Sequence, residues 1–138
     1  MKHYEFLEHT ADIGIRVWGD SFKELFIHSA KAMYELIADI NLVKPESSFE
    51  VRVEAKDRDE LLRNWLSELL YYFNVKEILL TDFVITELDD THIISTASGE
   101  KIDPDRHNLK REIKAVTFHN LNIKEKNGEF ATEIIFDI

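Results

Sequence analysis

The chain has 138 residues, with 17 Lys and Arg against 27 Asp and Glu, a formal charge of −10 at pH 7. That length suits one domain, residues 1–138, burying roughly two-thirds of its unfolded surface without staples, and 44% hydrophobic residues with four Gly and two Pro exclude disordered and collagen-like chains. The lack of Cys removes disulfide scaffolds, thiolate zinc sites and cysteine nucleophiles. The opening Met1-Lys2-His3-Tyr4-Glu5 does not read as a signal peptide, and no apolar run reaches the roughly 20 residues that span a bilayer, so a cytoplasmic protein without a membrane is expected.

The spacing predicts strands over Tyr4 to Leu7 and Ile13 to Trp18. A helix follows: Ser21 and Glu24 have capping-box spacing, and Phe22, Leu25, Phe26, Ala30, Met33, Leu36 and Ile37 repeat at the helical period. Phe49 to Ala55 reads as a strand. Asp57 and Glu60 repeat the cap, and Leu61, Leu62, Trp65, Leu66, Leu69, Leu70 and Phe73 form a stripe wide enough to lie flat on a sheet, its aromatics being core. Leu80 to Leu88 and His92 to Ser98 read as a hairpin closed at Asp89-Asp90. Ile113 to Lys124 and Phe130 to Ile138 flank Asn127-Gly128, a strong hairpin signal. This order predicts an α+β fold: a single two-layer domain, a largely antiparallel sheet with two amphipathic helices on one face.

Charge is uneven along the chain. Residues 99–126 carry seven Lys or Arg against five Asp or Glu, and the basic residues concentrate at Arg106, Lys110, Arg111 and Lys114. A protein this acidic repels phosphate backbones, and no base-stacking aromatics accompany the strip. It reads as a solvated strand face, or one that docks on another protein.

Phosphate loops, nucleophile elbows and His-Glu-x-x-His are absent. Three polar segments remain. In Glu8-His9-Thr10-Ala11-Asp12, between two strands, a turn is built without Gly or Pro; spacing alone favours an Asx-turn at Asp12 over a ligand site. Gly99 to His107 holds three carboxylates and one imidazole, and fits either a metal or partner loop or a solvated connection begun by Asp103-Pro104. In the ending Ile134-Ile135-Phe136-Asp137-Ile138, alternation turns Asp137 away from the apolar face, and an apolar terminus implies pairing into a sheet. The Asp137 side chain and the Ile138 carboxylate then repel each other unless a cation lies between them or water screens them, and these two readings stand level. A cation there would be hard and oxygen-seeking.

The histidines carry less. His28 falls on the polar side of the first helix, His3 and His92 at strand ends, and His119 reads as a buried, hydrogen-bonded strand residue. Zinc held by His9, His107 and His119 would need three separate segments to converge.

Taken together, three segments resemble the archease family: His9-Thr10-Ala11-Asp12-Ile13-Gly14-Ile15; Gly99-Glu100 with Arg106-His107 and Lys114-Ala115-Val116-Thr117-Phe118-His119; and Ile135-Phe136-Asp137-Ile138. The likeness spans the whole chain. Phe118 stands where Tyr is more usual and Phe130 where Trp is, so only a hydroxyl or an indole N–H is put in question.

The resemblance implies a non-enzymatic activator of the RtcB-type tRNA-splicing RNA ligase. Such a protein promotes the ligase's guanylylation and multiple turnover, broadens its nucleotide use, and meets RNA only through the ligase. It implies a divalent cation, Ca²⁺ first with Mg²⁺ or Mn²⁺ as alternatives, on Asp12, Asp137 and the Ile138 carboxylate. His9, Glu100, His107, Lys114 and His119 are expected to support that tip or touch the partner. Two rival readings are a chaperone-like modulator of RNA-modifying methyltransferases and a metal-dependent phosphoester hydrolase using His9, Asp12, Glu100 and His107.

Overall fold

The computed structural model describes residues 3–8 and 11–138. Its elements are β1 (Tyr4–Glu8), β2 (Asp12–Gly19), α1 (Phe22–Ile37), a 3-10 turn (Ile40–Leu42), β3 (Ser47–Glu54), α2 (Arg58–Asn74), β4 (Ile78–Leu88), β5 (His92–Lys101), β6 (Ala115–Val116), β7 (Lys124–Lys126) and β8 (Glu129–Asp137).

Both helices start where their caps predict. Glu24 N–H donates to Ser21 Oγ at 3.1 Å, and Glu60 N–H to Asp57 Oδ1 at 2.9 Å, satisfying donors that the first turn leaves free. Trp65 is fully buried, its indole N–H donating to Phe26 O and so joining the helices. Tyr34 is buried too and donates to Leu69 O; burial raises its hydroxyl well above the ordinary range.

Every strand pair is antiparallel, and the strands divide into two sheets. One has the order β1-β2-β8-β6, with β7 also on β8; the other has the order β3-β5-β4. The α+β class stands, as an antiparallel fold whose strands are shared between two sheets. Helix α1 packs on β2 and β4, and α2 on β3, β4 and β6, so each helix meets both sheets and one core joins them. This explains the wide burial of α1, where Ala32, Met33, Tyr34, Leu36 and Ile37 are all enclosed.

The strand expected over Ile113 to Lys124 is broken. Only Ala115–Val116 and Lys124–Lys126 pair with β8. Thr117 Oγ1 donates to Ile135 O and accepts His119 N–H, Leu121 N–H donates to Phe118 O, and Asn120 adopts φ 59°, so a turn replaces the ladder. The Asn127-Gly128 hairpin forms as expected, with φ of 55° and 82° matching a type I′ turn. Gly99 is needed for a different reason: a Cβ there would lie 1.8 Å from Leu79 O, where β4 bulges against β5.

The segment 102–114 is a strap rather than a strand face, which corrects the expectation for the basic strip. Ile102 N–H donates to Glu77 O, Leu109 bridges to Ala38, and Lys110 donates its N–H to Ile37 O and its Nζ to Glu35 O, covering carbonyls at the end of α1, whose last turn has no basic residue. Asn74 Nδ2, at the end of α2, donates to Ile113 O. Ile113 itself is buried. The strap thus crosses the ends of both helices and leads from the second sheet to the first.

Candidate functional site at the end of the first sheet

The β2–β8 register sets Asp12 directly opposite Asp137, and β6 sets Ala115 on the other side of Asp137. Two carboxylates facing across an antiparallel pair repel and destabilise the ladder. The strands hold them there because Ile13, Ile15, Val17, Ile134 and Phe136, the inward residues of the same strands, are buried. A one-residue slip would separate the acids and turn every one of those side chains to the wrong face.

Main-chain bonds hold the site's backbone. Lys114 N–H donates to Asp137 O at 2.8 Å, and Ile138 packs its side chain against the core. Asp137 is exposed and Asp12 half-buried. Among the described residues, Asp12 Oδ1 is buried without a hydrogen-bond partner, a costly state for a carboxylate oxygen. Glu8, paired with Ile13, lies beside this acidic end, and Arg111 Nη2 approaches its Oε1 to 3.6 Å.

Glu100 and His107 build a different site. Glu100 lies on β5 beside Leu79 of β4, in the second sheet. Its carboxylate, nearly buried, accepts from Arg106, from Lys44 N–H at 2.7 Å and from His107 Nε2 at 3.0 Å. Arg106 holds the Glu100 carboxyl down to about 2, with the His107 and Lys44 donors adding to the effect against the opposing influence of burial. Asp103 N–H donates to His107 Nδ1 at 2.9 Å, which leaves Nε2 as the donor to Glu100. Arg106 also donates to Leu42 O. This knot fastens one end of the strap to the turn after α1.

The expected residues therefore part company. Asp12 and Asp137 face each other, Ile138 follows Asp137 in the chain, and Lys114 N–H bonds to Asp137 O. Glu100 and His107 lie in the knot, and both ring nitrogens of His107 are engaged, which leaves it none for zinc. His119 is exposed in the turn after β6 rather than buried in a strand. His9 lies outside the described residues. Among the described residues no three or more His, Asp or Glu side chains are grouped to hold a metal ion. The two carboxylate side chains would thus need a main-chain group to complete an oxygen site.

Arg106, Lys110 and Arg111 have no strong signal as site builders in the sequence. Each reaches a partner far off in the chain: Glu100 and Leu42, Glu35, and Glu8 respectively. Arg106 alone had a local hint, six residues from Glu100.

No helix is long and apolar enough to cross a membrane among the described residues. Residues 4–138 match the model of the Archease protein family (MTH1598/TM1083). The chain is 38% identical to the protein archease of Methanopyrus kandleri, covering 98% of this chain and 99% of that one. It is also 38% identical to that of Pyrococcus abyssi over the full length of both. The solution structure of Methanobacterium thermoautotrophicum protein 1598 superposes with a TM-score of 0.84 at 37% identity over all of both chains. The crystal structure of a Thermotoga maritima protein, described as an archease and possible chaperone, shares the fold at a TM-score of 0.66 and 19% identity, covering 96% of this chain and 94% of that one. With a whole-chain family match and full-length relatives above one-third identity, this chain belongs to the archease family.

Proposed function

We propose that this archease activates an RtcB-type tRNA-splicing RNA ligase, without catalysing a reaction itself, by presenting an acidic, cation-binding tip. The observation that carries the reading is the cross-strand pair Asp12 and Asp137, with Asp12 Oδ1 buried and lacking a partner among the described residues. A buried orphan acceptor beside a second carboxylate fits a hard divalent cation, Ca²⁺ first, with Mg²⁺ and Mn²⁺ as alternatives. The Ile138 carboxylate would supply a third group, and an all-oxygen set suits a hard cation better than zinc.

A bound cation would offer positive charge and open coordination positions to the phosphates of the ligase's nucleotide. The chain's own contribution is to hold the carboxylates rigidly. Register fixes Asp12 against Asp137, the Lys114 N–H pins the last peptide, and Ile138 anchors the end in the core. Such a tip would promote the guanylylation that precedes each turnover and loosen the choice of nucleotide. The strap cations are largely engaged within the fold, which supports contact with RNA only through the ligase.

The test is multiple-turnover ligation by a cognate ligase with RNA in large excess. Wild-type protein should yield many turnovers, and Asp12→Ala about one, as with no addition. Full activation by both Asp12→Ala and Asp137→Ala would sink the reading. Extending the chain beyond Ile138 should also abolish activation, because it removes a carboxylate. A chaperone-like role toward RNA-modifying methyltransferases, in keeping with the Thermotoga maritima protein's description as a possible chaperone, would tolerate that extension. A metal-dependent hydrolase is the weakest reading, since Glu100 and His107 are bound to each other and to the strap.

A further inference from the structure

A sheet that ends in an open strand offers unpaired main-chain groups to any other chain, and folds commonly blunt such edges. The edge strands of the first sheet are short: β1 has five residues, β6 two and β7 three. In the second sheet, β4 breaks register twice against β5, between Leu80 and Asp82 and between Ile85 and Glu87. The other edge, β3, is different. Its eight residues pair with β5 without a break from Ser47 to Glu54, and none is Pro.

The groups on the open side of β3 follow from its ladder. Ala55 N–H donates to Thr91 O just beyond the last strand pair. Antiparallel alternation then turns the N–H and C=O groups of Val53, Val51 and Phe49 toward β5, and those of Glu54, Arg52 and Glu50 away from it. Asn64 Nδ2 of α2, which reaches Glu54 O at 3.4 Å, agrees with this assignment. Among the described residues nothing else bonds the main chain of these three residues on the open side.

A groove of about 410 Å³ runs along this edge. Arg52, Val53 and Glu54 all line it, and consecutive strand residues point to opposite faces, so the groove opens on the edge itself. Its far wall is α2, through Asn64, Glu68 and Tyr71, which share one side of that helix. An open strand and a helix flanking a groove is the geometry in which an extended peptide adds to a sheet.

Charge selects the peptide. Arg52 is paired with Glu50 on its own strand, and Lys76 at the end of α2 lies over the rings of Tyr72 and Tyr71. Glu54 and Glu68 are exposed and make no ion pair among the described residues, so the groove keeps a negative surplus. The chain's charge of −10 opposes edge-to-edge pairing of two copies. We propose that the open edge of β3 docks an extended basic segment of a partner protein, added to the second sheet as a further strand. The main chain of Glu50, Arg52 and Glu54 bonds the guest. A cation on the guest's helix side meets Glu68, and one on its outer side meets Glu54. The site lies on the second sheet, so it stands or falls separately from the acidic end of the first.

Hydrogen exchange followed by NMR on the full chain tests it, with acetylated peptides of Lys, Arg, Val and Thr as probes. These should slow exchange at the amides of Glu50, Arg52 and Glu54 by about tenfold, and peptides with Glu in place of Lys and Arg should leave it unchanged. Methylating alternate peptide nitrogens of the probe should weaken its binding by about tenfold, because donors to the edge are lost. Glu68→Lys, a change at an exposed side chain, should also weaken binding about tenfold without moving the thermal midpoint. Protection of the same amides by self-association without peptide would give the edge to a second copy and overturn the proposal. So would basic-peptide binding that leaves those amides unprotected or is indifferent to Glu68→Lys, and so would no binding at all.

Discussion

Two places in this protein bring carboxylates and cations together, and they differ in how completely their polar atoms are satisfied. In the knot, Glu100 accepts from Arg106, His107 and Lys44 N–H, and His107 has both nitrogens engaged. At the tip, Asp12 faces another acid, and Asp12 Oδ1 is buried without a partner among the described residues. A saturated polar cluster holds a fold together, and nothing is left over for a ligand. An unsatisfied one is retained at a cost in stability, and the cost points to something that binds there. From sequence, both segments read alike as acidic, histidine-bearing loops.

The contrast can be broken most directly at the tip. Asp12→Ala and Asp137→Ala should each reduce ligase activation from many turnovers to about one while changing unfolding free energy by less than about 1 kcal/mol, measured by urea denaturation. A large loss of stability in either variant would show the tip to be a structural cluster like the knot. The opposite pattern is expected of Glu100→Ala. It strands Lys44 N–H and the His107 ring in a nearly dry site and should cost about 2–4 kcal/mol in the same denaturation experiment.

The knot also makes a prediction in pH. Because the folded-state value of Glu100 lies at about 2, below the ordinary 4.5, the stability it contributes is complete above about pH 4.5 and fades as pH falls toward 2. Acid unfolding of Glu100→Gln should lack that part of the loss. Equal slopes for wild type and variant between pH 4.5 and 2 would show that Glu100 does not titrate as the geometry requires.

The smallest expected effect sharpens the point that cost alone does not mark a site. Glu77 holds φ 56° where α2 runs into β4, a conformation that favours glycine, and its carbonyl accepts Ile102 N–H at the start of the strap. Glu77→Gly should stabilise the protein by about 0.5–1 kcal/mol in thermal denaturation without altering activation. Lost activation would tie that end of the strap to the tip.

Local chemistry was enough to write much of this fold in the sequence. Ser21 and Asp57 announce both helices because a cap needs only its own first turn, and Asn127-Gly128 announces a hairpin because a type I′ turn needs only two residues of positive φ. The period of Leu61 to Phe73 likewise marks a buried face without naming what covers it. Asp12, Asp137 and Ile138 stood out through family resemblance, while spacing alone favoured an Asx-turn at Asp12 and left a screened edge level with a cation at the chain end. Tertiary structure alone decided the rest. The division into two sheets, the breaking of the 113–124 strand by Thr117 and Asn120, the register that opposes Asp12 to Asp137, and the separation of Glu100 and His107 from the tip all depend on pairings between residues far apart in the chain. Such pairings are settled by which faces can be buried together, and one strand's pattern does not name its partner. The roles of Arg106, Lys110 and Arg111 belong to the same class: three cations close together in sequence reach three different regions, and only the packed strap shows which partner each one meets.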